Sequence, residues 1–117
     1  MKIVITNNPM VRDKLKEGIL EFHDTDYLGV LKAVRDRIHL GHGLLTHPLS
    51  GSVKPWETPY KTVIVTGEKD TLDQNALFII EESIQTCIKL KTSVVKKEWS
   101  PNILADFQLI DYNLILG

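Results

Sequence analysis

Three short apolar runs, Lys2–Thr6, Ile19–His23 and Lys61–Gly67, alternate with segments of helical periodicity, and that alternation narrows the folds open to the chain. The third run holds Val63, Ile64 and Val65 in succession, so apolar side chains point to both faces of the strand. Strands covered on both faces are the kind found in parallel sheets flanked by helices. Strands that alternate with helices imply right-handed crossovers and an α/β architecture. The expectation is α/β: a single three-layer Rossmann-like domain, residues 1–117, with a short, mainly parallel sheet. A chain of 117 residues is long enough to bury one such core.

Local signals place the helices. Asn8 suits a helix N-cap and Pro9 the first helical position, with Val11 and Leu15 one turn apart and Gly18 as a stop. Asp24, Thr25 and Asp26 offer caps for a second helix, on which Tyr27, Leu31, Val34 and Ile38 recur at helical spacing before Gly41 ends it. Gly43–Thr46 reads as a short third strand. Asp70 or Thr71 caps a long helix with Leu72, Ala76, Ile80, Ile84 and Cys87 on its apolar face. Ser100-Pro101 starts a short helix, and the tail Phe107–Leu116 fits a strand or a helix equally.

A formal net charge of −1 argues against a domain held to nucleic acid by bulk electrostatics. No apolar run approaches the ~20 residues of a membrane helix, and the N-terminal run is too short for a signal peptide. The single cysteine, Cys87, rules out an intrachain disulfide, which suits a cytoplasmic protein. On the apolar face of its helix it reads as a small hydrophobe. Lys96-Lys97-Glu98-Trp99 reads as a solvated turn with Trp99 packed down. A homodimer is left open.

Residues 42–60 are the segment richest in chemistry. They hold two His, two Ser, two Thr, two Gly, a lysine and three Pro between an amphipathic helix and a buried strand. Connections in compact domains run to about 4–6 residues, and longer structureless ones are usually functional or disordered. Prolines and the apolar Leu44, Leu45, Leu49, Val53 and Trp56 argue against disorder. In open α/β sheets, ligands bind outside the carboxyl ends of the strands. Asn7 and Asn8 leave the first strand at such an end, and Thr46 and His47 leave Gly43–Thr46, so neighbouring strands would put all four on one rim.

Within the loop, Ser50, Gly51, Ser52 and Lys54 supply hydroxyls, a backbone free to turn its N–H groups inward, and a cation. That combination suits a small anionic metabolite, a phosphate or carboxylate. No P-loop pattern is present. His47 titrates near neutrality beside Ser50 and offers acid–base or nucleophilic catalysis, but no Gly-x-Ser-x-Gly elbow accompanies it. A brace between His47 and the loop backbone explains it as well. His39, His42 and His47 have poor spacing for a metal once Gly41 breaks the helix, so no metal and no cofactor is expected.

The stretch His42-Gly-Leu-Leu-Thr-His-Pro-Leu-Ser-Gly-Ser-Val-Lys-Pro, continuing to Glu57-Thr-Pro-Tyr-Lys61, resembles the GrdX family. Asn7-Asn8-Pro9 and the chain length agree with it. Trp56 departs from the pattern, where a small polar residue would be expected. The resemblance implies a protein encoded beside glycine reductase genes in amino-acid-fermenting anaerobes, and so an accessory or regulatory role. Three functions follow: an anion binder using Asn7, Asn8, Thr46, His47, Ser50, Gly51, Ser52 and Lys54; a hydrolase or transferase of phosphorylated or acyl metabolites using His47 and Ser50; or a module docking on a glycine reductase component.

Overall fold

Each apolar run forms a strand: β1 is Lys2–Thr6, β2 is Ile19–Phe22 and β3 is Thr62–Thr66. The structure, a computed structural model, describes residues 1–51, 53–91 and 98–116. Among these residues four helices complete it: α1 (Pro9–Lys14), α2 (Tyr27–His39), α3 (Gln74–Lys91) and α4 (Pro101–Leu116). The strands make a small open sheet in the order β2–β1–β3. Strand period two splits their side chains between two cores. Ile3, Ile5, Val63 and Val65 pack with α2 and α3, whereas Val4 and Ile64 pack with Val11 of α1 and with Tyr112 and Ile115 of α4.

Of the expected Rossmann-like domain, the mixed α/β class holds, but the sheet is not mainly parallel. β1 pairs with β2 in parallel and with β3 antiparallel, Val4 facing Ile64. The Val-Ile-Val run reported helices on both faces correctly, but burial on both faces does not fix direction. Direction follows from the path after α2. The chain leaves α2 beside the far end of β3, where the Thr66 N–H donates to the Gly43 carbonyl. It then runs back along the outer edge of β3 and must turn over to enter that strand.

The expected strand Gly43–Thr46 contracts to one antiparallel bridge, Leu44 to Val65. Its ladder ends because the N–H groups of Leu45 and Thr46 both reach the Ile64 carbonyl, at 2.9 and 3.3 Å. The Ile64 N–H then takes the Thr46 side chain, at 2.9 Å to Oγ1, in place of a backbone carbonyl.

Helix starts follow the caps with one exception. Asn8 Oδ1 accepts from the Met10 N–H with Pro9 first in α1, and Asp26 accepts from the Gly29 N–H. α1 ends at Lys14, short of Gly18. The cap of α3 is Asp73, whose Oδ1 accepts from the N–H groups of Asn75 and Ala76. Asp70 and Thr71, the expected caps, lie ahead of the helix: Asp70 Oδ1 accepts from the Thr71 N–H at 2.7 Å, and the Asp70 N–H donates to the Gly41 carbonyl. Gly41 is required there: its φ is +107°, and a Cβ would lie 2.2 Å from the Asp70 carbonyl oxygen. Ser100 starts α4, which continues through the tail to Leu116 as one helix. Among the described residues no helix is long and apolar enough to cross a membrane.

Candidate functional site

Asn7, at the carboxyl end of β1, ties three segments together. Its Nδ2 donates to the carbonyls of Thr25 and Pro59, at 2.9 and 2.8 Å, and its Oδ1 accepts from the Lys61 N–H at 2.9 Å. The exits of β1 and β2 and the entry to β3 thus share one rim. Asn7→Ala is expected to cost about 2 kcal/mol in urea unfolding, since the buried Lys61 N–H and two part-buried carbonyls lose a partner. A loss below about 0.5 kcal/mol would show that the rim holds without it.

Asn8 anchors the other core. Its Nδ2 donates to the Gln108 carbonyl and to Asp111 Oδ2, both at 2.9 Å. Asp111 is 5% exposed and also receives the Thr62 hydroxyl at 2.6 Å. Thr62 Oγ1 lies 2.8 Å from Thr6 Oγ1, which accepts from the Asn8 N–H at 2.9 Å. A carboxylate only accepts, so Thr62 donates to Asp111 and Thr6 to Thr62. The result is a closed polar ring at the edge of an apolar core. Both asparagines serve as clamps of the rim, with their amide protons committed to protein acceptors.

The loop divides its candidate residues. Thr46 is engaged with Ile64, as above. His47 is exposed; its Nδ1 accepts from the Leu49 N–H at 3.0 Å and its carbonyl from the Ser50 N–H at 3.0 Å, making a tight turn. Ser50 faces a different partner. Lys61 Nζ donates to the Ser50 carbonyl at 2.7 Å and lies 3.1 Å from Ser50 Oγ. The structure therefore joins Ser50 to Lys61, while the His47 ring braces backbone. Gly51 follows at φ +103°, its Cα side against Leu114 of α4. Lys54 is exposed and accepts the Glu57 N–H on its carbonyl. Ser52, Lys96 and Lys97 lie outside the described residues.

Lys61 is the residue that sequence reasoning passed over. It is only 3% exposed, and burial draws its ammonium pKa from 10.5 down to about 8, while Asp111 pulls it partly back. A cavity of about 20 Å³, room for one water, is lined in part by Lys61, Asp111, Tyr27 and Thr58. A wider cleft of about 480 Å³ adjoins it, sharing Tyr27, Thr58 and Tyr60 and walled by Phe22, Trp56 and Trp99. That volume falls in the range of small-molecule sites.

Trp56 holds φ +71°, uncommon for a bulky residue and natural for the small polar one its position suggests. Its Nε1–H donates to the Cys87 carbonyl at 2.7 Å, and Lys91 Nζ lies 4.9 Å above its ring. These contacts latch the returning loop to α3. Cys87 is buried, and desolvation raises its thiol pKa to about 11, far from a reactive thiolate. His42 is buried, its Nδ1 donating to the Thr66 carbonyl at 2.7 Å, and its Nε2 has no partner among the described residues. Among those residues no group of His, Cys, Asp or Glu is arranged to hold a metal ion.

A match to the family described as GrdX-like protein covers residues 3–117. No curated protein and no solved structure matches the chain.

Proposed function

The chain belongs to the GrdX-like protein family, and from that premise we propose that it is an accessory or regulatory protein of the glycine reductase system that binds a small carboxylate or phosphate through residues 46–54. The observation that carries this reading is the buried Lys61 ammonium delivered to the underside of the Ser50–Gly51 turn. A charge held in a poorly solvated place attracts an anion more strongly than one in water. The positive φ of Gly51 and the exposed Lys54 on the same loop add turned backbone and a second cation. Asn7 and Asn8 help by fixing the rim. The setting is cytoplasmic, and a reductase component is the protein partner.

Ligand binding to the folded state raises stability by mass action, about 2.7 kcal/mol at a hundred times the dissociation constant. Thermal melting with phosphate, acetate, amino acids and nucleotides is expected to show a rise with one anion class. Lys54→Ala, at an exposed position, should remove most of that rise while leaving the ligand-free melting temperature alone. Equal melting temperatures in all of these solutions would refute the reading.

A further inference from the structure

Ser50 and Lys61 have a relationship that goes beyond holding an anion. Of the described serines, Ser83 returns its hydroxyl to the Ile79 carbonyl and Ser100 caps α4. Ser50 has its hydroxyl 3.1 Å from an amine nitrogen, and Ser50 is an exposed residue whereas Lys61 is buried. The amine itself is shielded: Lys61 lies at the entry to β3, fixed by Asn7 through its backbone and by the Ser50 carbonyl through Nζ. An accessible hydroxyl backed by an inaccessible, oriented base is the arrangement nucleophilic catalysis requires. Serine–lysine pairs are a known variant of the serine–histidine solution.

We infer that Ser50 and Lys61 form a nucleophile–base pair that cleaves small activated acyl compounds, esters above all. The inference rests on the loop being the ligand site, but its chemistry needs no bound anion. In the neutral form, Nζ keeps one N–H on the Ser50 carbonyl and offers its lone pair to the Ser50 hydroxyl. Oγ attacks the acyl carbon and its proton passes to Nζ. The tetrahedral adduct collapses, the bond to the leaving oxygen breaks, and Lys61 returns the proton to that oxygen. Water then attacks the acyl carbon on Ser50, giving a proton to Lys61; the bond to Oγ breaks, Lys61 passes that proton to Oγ, and the carboxylic acid leaves with Ser50 and the neutral amine restored. Burial favours the neutral amine required by the first step, and about 8 is a useful value for a base working near neutrality.

The test is reaction of the intact protein with a fluorophosphonate, read by peptide mass spectrometry, together with hydrolysis of p-nitrophenyl acetate between pH 6 and 10. The expected label is on Ser50. Both rates should climb with pH and level off above about 8. Ser50→Ala should remove the label, and Lys61→Met should slow it at least about a hundredfold, in line with loss of a general base. Melting curves confirm that both variants are folded. An unlabelled Ser50 at pH 9, or labelling of folded Lys61→Met at the unmutated rate, overturns the inference and leaves Lys61 as an ammonium solvated by a serine. Anion-dependent melting without labelling would end this inference and spare the binding one, and labelling without a melting shift would do the reverse.

Discussion

Asp111→Ala is expected to destabilise the protein by about 3–5 kcal/mol at pH 7, the range for removing one partner of a buried charged network. The carboxylate is where the donors of two elements converge: Thr62 from β3 and Asn8 from the start of α1. Without it one hydroxyl of the Thr6–Thr62 pair and one Asn8 amide proton are buried with no acceptor, and each such group costs about 1–3 kcal/mol. Lys61 loses the negative charge that partly offsets its desolvation. Asp111→Asn keeps the shape and one acceptor oxygen, so it should cost markedly less. Urea unfolding of the two variants side by side checks this; equal losses would mean that α4 is held by its apolar contacts and not by the polar ring.

Lys61→Met is expected to act in the opposite direction. A lysine with a folded-state pKa of about 8, against 10.5 ordinarily, is protonated in both states below pH 8, where the folded protein carries the full desolvation cost. Between those values only the unfolded chain keeps the proton, so stability rises with pH. Above about 10.5 both states are neutral and the cost is gone. At 1.36 kcal/mol per pH unit the whole effect is about 3 kcal/mol. The loss of two contacts to Ser50 offsets part of this, so Lys61→Met should be more stable than the unmutated protein by about 1–3 kcal/mol at pH 7. The gap should close as pH approaches 10.5. A variant less stable at pH 7, or a gap that does not change with pH, contradicts a desolvated ammonium. A stabilising loss of a polar side chain is also what a functional residue produces.

Sequence carried the local features well. Asn8 and Pro9 begin α1, Asp26 begins α2, and Cys87 lies in the apolar face of α3, because caps and helical periodicity are written in residues a few positions apart. Asn7 does meet the long loop, but at its return through Pro59 and not through Gly43–Thr46, which lies against β3. What escaped depends on partners distant in the chain. The direction of β3 is set by a loop reversal, and Asp70, expected to start α3, is instead tied to Gly41 while Asp73 caps the helix. Lys61 resembled any lysine flanking a strand, whose charge usually reaches solvent. Asp111 left a trace: it falls at helical spacing from Leu104 and Ile115 on the inward side of α4, a carboxylate in line with apolar residues. Such a group calls for buried donors, but only the fold names Thr62 and Asn8.

The bridge between Leu44 and Val65 also affects how copies of this chain can associate. Unpaired strand edges are templates for another molecule's backbone. Leu44–Thr46 engages the backbone of β3 at Val65 and Ile64 without becoming a full strand, and so blunts that edge. Among the described strands, β2 is left at the open edge, short and bearing the exposed Ile19 and Leu20. The first residues of the long loop are thereby a guard against strand addition on one side of the sheet, and any cross-β association would begin on the other.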